Sequence, residues 1–121
     1  MYTGSMPLVE LLPLTDVTAC CAPLTREPIS AAHAEDLALS LKAISDPRRL
    51  RLISMVAAHD DSEACACDLT ASLGLSQGTV SHHLRILVDA GIFTRQKRGT
   101  WAYYRLVPGA LDSIARLLVT V

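Results

Sequence analysis

Aromatic residues are scarce: one Phe, one Trp and three Tyr make up 4% of 121 residues, although half the chain is hydrophobic. A core drawn from Leu, Val, Ile and Ala suits packed helices better than a β-sandwich. No apolar run approaches the roughly 20 residues that a membrane-crossing helix needs. Residues 1–24 are fairly apolar, but Glu10, Asp16 and three prolines interrupt them and no positive segment leads them. That pattern argues against a secretory signal and places the chain in the reducing cytoplasm. In that compartment the four cysteines are expected as thiols or metal ligands rather than structural disulfides. The chain has no surplus of positive charge either; its net charge of −1 excludes a generic basic coat for nucleic acid. Neither an internal repeat nor a low-complexity run is present, and the length fits one domain.

The charge that is there is unevenly placed. Residues 1–75 carry five Lys/Arg against ten Asp/Glu, whereas residues 76–105 carry Arg85, Arg95, Lys97, Arg98 and Arg105 against Asp89 alone. A basic patch on an acidic body marks a face presented to phosphate.

Residues 1–29 are punctuated by Pro7, Pro13, Pro23 and Pro28, show no sustained period, and read as a flexible arm carrying Cys20 and Cys21. Residues 30–121 read as a DNA-binding and dimerisation domain. Ser30 caps an expected helix over Ala31–Ser45 with Ala34, Leu37, Leu41 and Ile44 on one stripe. Asp46-Pro47 starts a second helix reaching about Ala58, with Leu50, Ile53 and Ala57 expected buried and Leu52 and Val56 alongside. A polar connection, His59–Glu63, leads to a short helix from about Cys67 to Leu73 that Gly74 closes. Ser76 then caps a helix whose Val80, Leu84, Leu87 and Val88 form a buried stripe, opposite Gly78, His82, Arg85 and Asp89 with Ser81 on the flank. Two strands, Phe93–Lys97 and Trp101–Leu106, follow around Arg98-Gly99-Thr100. Pro108 opens a last helix seamed by Leu111, Ile114, Leu117 and Leu118.

Helix, helix, helix-turn-helix, hairpin, helix is the order of a winged helix: mainly α with a small β-hairpin. The terminal helices have apolar faces that a domain this small leaves uncovered, so a homodimer is expected. Gln77, Thr79, Ser81, His82 and Arg85 offer polar groups near the N-terminal end of the recognition helix, the end that enters the major groove. Arg95, Lys97 and Arg98 on the hairpin are placed to hold phosphates. His83 tilts towards the apolar side and reads as a packed core residue. Taken singly, each of these pieces is ordinary solvated surface; in this order they favour DNA binding.

Cys65 and Cys67 are two residues apart, roughly 200° around a regular helix, so both cannot face one ion from helical backbone. Cys65 must therefore still be extended where the chain enters the helix, a place that favours thiolate. A lone buried cysteine is usually a small hydrophobe, but two close pairs favour ligands. Cys20 and Cys21 could fold from the arm to join them. Three thiolates suit arsenic(III) or antimony(III); four suit cadmium, lead or zinc. Cys20 to Arg26 also spells the C-x5-R pattern of phosphate loops, but it contains Pro23, no glycine and no preceding strand, so an enzyme is not expected.

From about Ala31 to Leu118 the chain resembles the ArsR/SmtB family of metal-sensing winged-helix repressors. The resemblance is carried by Leu41 through Arg51, the Cys65/Cys67 box, Leu75-Ser76-Gln77 through Leu84, Asp89-Ala90-Gly91-Ile92, and Trp101 through Leu106. It implies a dimeric repressor that leaves an operator inverted repeat when an ion binds the cysteines. Related arsenic sensors have a third cysteine where this chain has Thr70, so the arm pair is expected to supply the missing ligand, and Gly78 stands where relatives often have proline or serine. A zinc site on the last helix is not expected, since Asp112 is its sole candidate. The resemblance implies double-stranded operator DNA and a second copy as partners, with no membrane and no small-molecule substrate. The alternatives are a cadmium-, lead- or zinc-responsive repressor, a thiol redox switch on the same scaffold, or a metal-carrying or oxyanion-reducing protein without a DNA role.

Overall fold

In the computed structural model, which describes residues 22–120, Ser30 begins helix α1 (Ala31–Ile44) by accepting a hydrogen bond from the His33 N–H at 3.1 Å. Asp46 begins α2 (Pro47–Ala58) in the same way, its carboxylate accepting from the Arg48 and Arg49 N–H groups. Pro47 fills the first helical position, where no donor is needed. The two helices are thus separated by a single capped break, with Asp46 in extended backbone (φ −156°, ψ 131°).

The buried stripe of α2 is Leu52, Ile53 and Val56, which corrects the expectation for Leu50 and Ala57. Leu50 is 52% exposed and Ala57 also faces outward. Both stripes obey a 3.6-residue period and share Ile53, so periodicity alone could not choose between them. The Leu52 side wins because it packs against the sheet and the later helices, placing one Leu, one Ile and one Val in the core.

A short 3-10 turn, Asp60–Ser62, follows, with Asp61 (φ 59°) and Ser62 (φ 52°) in the left-handed region. The chain then forms strand β1 (Glu63–Cys65), helix α3 (Ala66–Leu73), helix α4 (Gln77–Asp89), strands β2 (Phe93–Arg98) and β3 (Trp101–Leu106), and helix α5 (Ala110–Leu118). The last helix starts two residues after Pro108, with Gly109 as its N-cap. The strand β1 is an addition to the hairpin expected from the sequence. The sheet is antiparallel in the order β1-β3-β2, with Cys65 opposite Tyr103 and Glu63 opposite Arg105. Three residues are too few to display alternation, and their partner lies some 40 positions downstream.

The core lies where α2, α3 and α4 meet the sheet: Leu52, Val56, Leu69, Val80, Leu84, Leu87, Ile92 and Phe93 are all but sealed from solvent. Each such side chain contributes about 1.5–3 kcal/mol on burial, so the helix-turn-helix and the wing share one rigid support. The helices α1 and α5 leave Leu39 and Leu118 exposed, and between them a groove of about 530 Å³ runs past Ile29, Leu37, Ile114 and Leu117. Residues 22–29 form neither helix nor strand, but they lie along α5: the Leu24 N–H donates to the Leu117 carbonyl and the Thr25 hydroxyl to that of Val119, both at 3.0 Å. Cys20 and Cys21, and most of the expected arm, lie outside the described residues. Among the described residues, no helix is long and apolar enough to cross a membrane.

Candidate nucleic-acid interface and thiol box

The α3–α4 turn is three residues long. Gly74 takes φ +68°, a left-handed C-cap that a side chain would strain, and its N–H donates to the Thr70 carbonyl. Ser76 then caps α4, accepting from the Thr79 N–H at 3.2 Å while its hydroxyl donates to the Thr79 hydroxyl at 2.8 Å. Gln77, Ser81, His82 and Arg85 are exposed along α4, and Arg85 keeps only a loose contact with Asp89 at 4.0 Å. Thr79, expected among them, is partly buried, and its hydroxyl already serves the cap.

The opposite face of α4 buries Val80, Leu84 and Leu87 together with His83. His83 Nδ1 lies 3.0 Å from Arg49 Nη1. A guanidinium can only donate, so Nδ1 is the acceptor and the ring proton is assigned to Nε2. The imidazole is therefore neutral. Burial pushes its pKa below the ordinary value; Asp46 opposes this, and the neighbouring Arg48, Arg49 and His82 reinforce it. Arg49 also donates from Nε to the Ala43 carbonyl (2.6 Å) and from Nη2 to that of Lys42 (3.3 Å), closing the end of α1. One side chain thus joins α1, α2 and the recognition helix. Its partners are 6, 7 and 34 residues away; no local signal in the sequence marks it out.

In the wing, Arg98 pairs directly with Trp101, leaving Gly99-Thr100 as a two-residue turn with Gly99 at φ +66°. Strand alternation separates the three basic residues expected to act together. Arg95 and Lys97 share the sheet face of Phe93, while Arg98 lies on the other, with Gln96, Tyr103 and Glu63. There Arg98 is engaged by Glu63 at 2.6 and 3.1 Å and by Gln96 at 2.7 Å. The Arg98 hydrogen bond holds the Glu63 carboxyl below the usual carboxylate range; burial opposes this, and the charges of Arg98 and Arg105 reinforce it.

Cys65 ends β1 and caps α3. Its backbone is extended (φ −74°, ψ 141°), as two sulfurs converging across this spacing require, and its Sγ accepts from the Cys67 N–H at 3.2 Å. Cys65 is 6% exposed and Cys67 lies open on the first turn. The Cα atoms are 5.2 Å apart and the two sulfurs are joined as a disulfide, where free thiols were expected. An extended residue leading into a helical turn brings the Cα atoms within disulfide range; once reduced, the same closeness suits two thiolates chelating one ion. Thr70 supplies no third donor, because its hydroxyl donates back to the Ala66 carbonyl at 2.8 Å. Among the described residues, no group of three or more His, Cys, Asp and Glu side chains comes together as a metal site.

Residues 46–94 match the family described as "Bacterial regulatory protein, arsR family". The arsenical resistance operon repressor of Staphylococcus xylosus is 39% identical over 80 residues, 66% of this chain and 74% of that one. The crystal structure of the AntR antimony-specific transcriptional repressor superposes with a TM-score of 0.62 at 29% identity, covering 77% of this chain and 79% of that one. A homodimeric winged helix-turn-helix DNA-binding domain from Mycobacterium bovis superposes at 0.61 with 26% identity, covering 76% and 80%.

Proposed function

From the premise that this chain belongs to the arsR family of bacterial regulatory proteins, we propose that it acts as a homodimer whose hold on an operator is released by arsenic(III) or antimony(III) bound to cysteine thiolates. It is a DNA-binding winged-helix transcriptional repressor and not an enzyme. The finer reading rests on one observation: Cys65 is at once the last residue of a strand bonded to the wing and the cap of the first helix of the helix-turn-helix. An ion that draws the Cys65 and Cys67 thiolates into its own coordination geometry competes with the Cys67 N–H for the Cys65 sulfur, and so acts on the start of α3. Cys20 and Cys21 are the remaining cysteines and, in this reading, supply the third sulfur.

The groove between α1 and α5, lined by Leu37, Ile114 and Leu117, supports a second copy packing there, and Leu39 and Leu118 add exposed apolar surface on the same two helices. Two recognition helices then meet successive major grooves about 34 Å apart. Gln77, Ser81, His82 and Arg85 face the base edges, Thr79 secures the cap, and Arg95 and Lys97 hold phosphates.

Coupling between effector and operator of about 1–3 kcal/mol, or roughly 5- to 150-fold in affinity, is the usual scale. Replacing both Cys65 and Cys67 by serine should leave operator binding intact and abolish release by arsenite, as read by fluorescence anisotropy of a labelled promoter fragment. Release that persists in the double variant refutes the assignment. The Cys65–Cys67 bond favours a second reading, a thiol redox switch on the same frame. Release by peroxide, reversed by reductant and indifferent to arsenite, would select it.

A further inference from the structure

Arg98 is a wing arginine that the wing does not leave free. Its Nη1 and Nη2 donate to Glu63 Oε1 (3.1 Å) and Oε2 (2.6 Å), a two-pronged pairing of the same form that a phosphate accepts. Gln96 Oε1 takes a further hydrogen bond at 2.7 Å, and the guanidinium lies over the Tyr103 ring, 4.6 Å from its centre. The Glu63 side chain is 15% exposed, against 42% for Arg98, so the carboxylate is the fixed member and the arginine the movable one. Arg105 Nε stands 3.6 Å from the same Oε2. If Arg98 left, Glu63 would still face a positive charge, so the separation strands no carboxylate.

We propose that Glu63 is a positioning residue that withholds Arg98 from DNA, its carboxylate occupying the fork a phosphate would fill. The inference rests on the reading that this wing lies beside DNA. It divides the wing into Arg95 and Lys97, whose side chains have no hydrogen-bond or ion-pair partner among the described residues, and Arg98, which is held in reserve.

The test is the salt dependence of binding to a duplex from upstream of the protein's own coding sequence, measured for the wild type, Glu63→Gln, Arg98→Ala and the double variant. Each phosphate contact contributes about 0.9 to the slope of log affinity against log salt concentration. Glu63→Gln should steepen the slope by about that amount and tighten binding about fivefold at low salt, the scale of one partly exposed ion pair. Arg98→Ala alone should leave the slope where it is, and the double variant should return to it. A Glu63→Gln variant that folds, by circular dichroism, yet binds more weakly or with an unchanged slope overturns the proposal. So does an Arg98→Ala variant whose slope falls by about 0.9, because Arg98 would then hold phosphate with Glu63 in place. This arm decides alone if Glu63→Gln does not fold. A wild-type chain that binds no duplex overturns the repressor reading and this inference together, whereas binding with unaltered slopes overturns the inference alone.

Discussion

Replacing Arg49 by methionine keeps its aliphatic stem and removes the guanidinium that ties α1 to the recognition helix. Two losses follow. The Lys42 and Ala43 carbonyls at the end of α1 lose a cationic donor, which costs about 0.5–1 kcal/mol. His83 Nδ1, buried on the inner face of α4, loses its hydrogen-bond partner, and stranding a buried acceptor costs about 1–3 kcal/mol. Arg49→Met should therefore destabilise the fold by about 1.5–4 kcal/mol, read from urea unfolding at fixed protomer concentration, because association shifts the midpoint. His83→Leu should cost less, about 1 kcal/mol, since Arg49 is only part-buried and water can take up its freed N–H. The informative quantity is the double variant. With both polar partners gone, no acceptor is stranded, and the combined loss should fall short of the sum by about 1–2 kcal/mol. Additivity to within about 0.5 kcal/mol, or a cost below about 1 kcal/mol for Arg49→Met, would refute the claim that this pair seats the recognition helix. Operator affinity should fall in Arg49→Met even where the chain remains folded, because α4 loses its tether to α1.

Acid should weaken the fold through His83. Its pKa in the folded chain lies below the ordinary 6.5, so as pH falls the unfolded chain takes up the proton first. The stability it governs is complete above the unfolded value and is lost as pH drops through that value towards the folded one. Urea midpoints for the wild type and His83→Leu should accordingly diverge at neutral pH and converge in mild acid; parallel curves would exclude His83 as the source. On DNA, Gln77→Ala and Arg85→Ala should each cost about 1–3 kcal/mol on the operator and much less on unrelated duplex. Lys97→Ala should weaken both duplexes alike and reduce the salt slope by about 0.9. A Lys97 variant that changed sequence preference instead would reverse these roles.

The parts of this fold that announce themselves in the sequence are those governed by neighbours. Ser30, Asp46 and Ser76 cap the helices that follow them, and Gly74 closes α3 at a left-handed position. Val80, Leu84 and Leu87 are buried as their period requires, and the extended backbone at Cys65 follows from the spacing of two sulfurs. The elements that did not announce themselves depend on partners distant along the chain. The strand β1 exists because β3 pairs with it, and which α2 stripe is buried was decided by what packs against that helix. Arg49 and Glu63 are ordinary surface charges until the fold brings His83 to one and Arg98 to the other. The wing arginines look like a single cluster in sequence, and only the alternation of β2 sends Arg98 to the opposite face.

The sheet order β1-β3-β2 leaves two open edges, one only three residues long and the other lined with Arg95, Lys97 and Arg98. An unpaired strand edge invites strands from other molecules, and short edges and repeated positive charge are the usual deterrents. The cations proposed to meet phosphate, Arg95 and Lys97, would thus also keep β2 from adding to a growing β-aggregate. Neutralising them all at once should cost solubility as well as affinity, so a wing stripped of charge is a poor control for lost DNA binding.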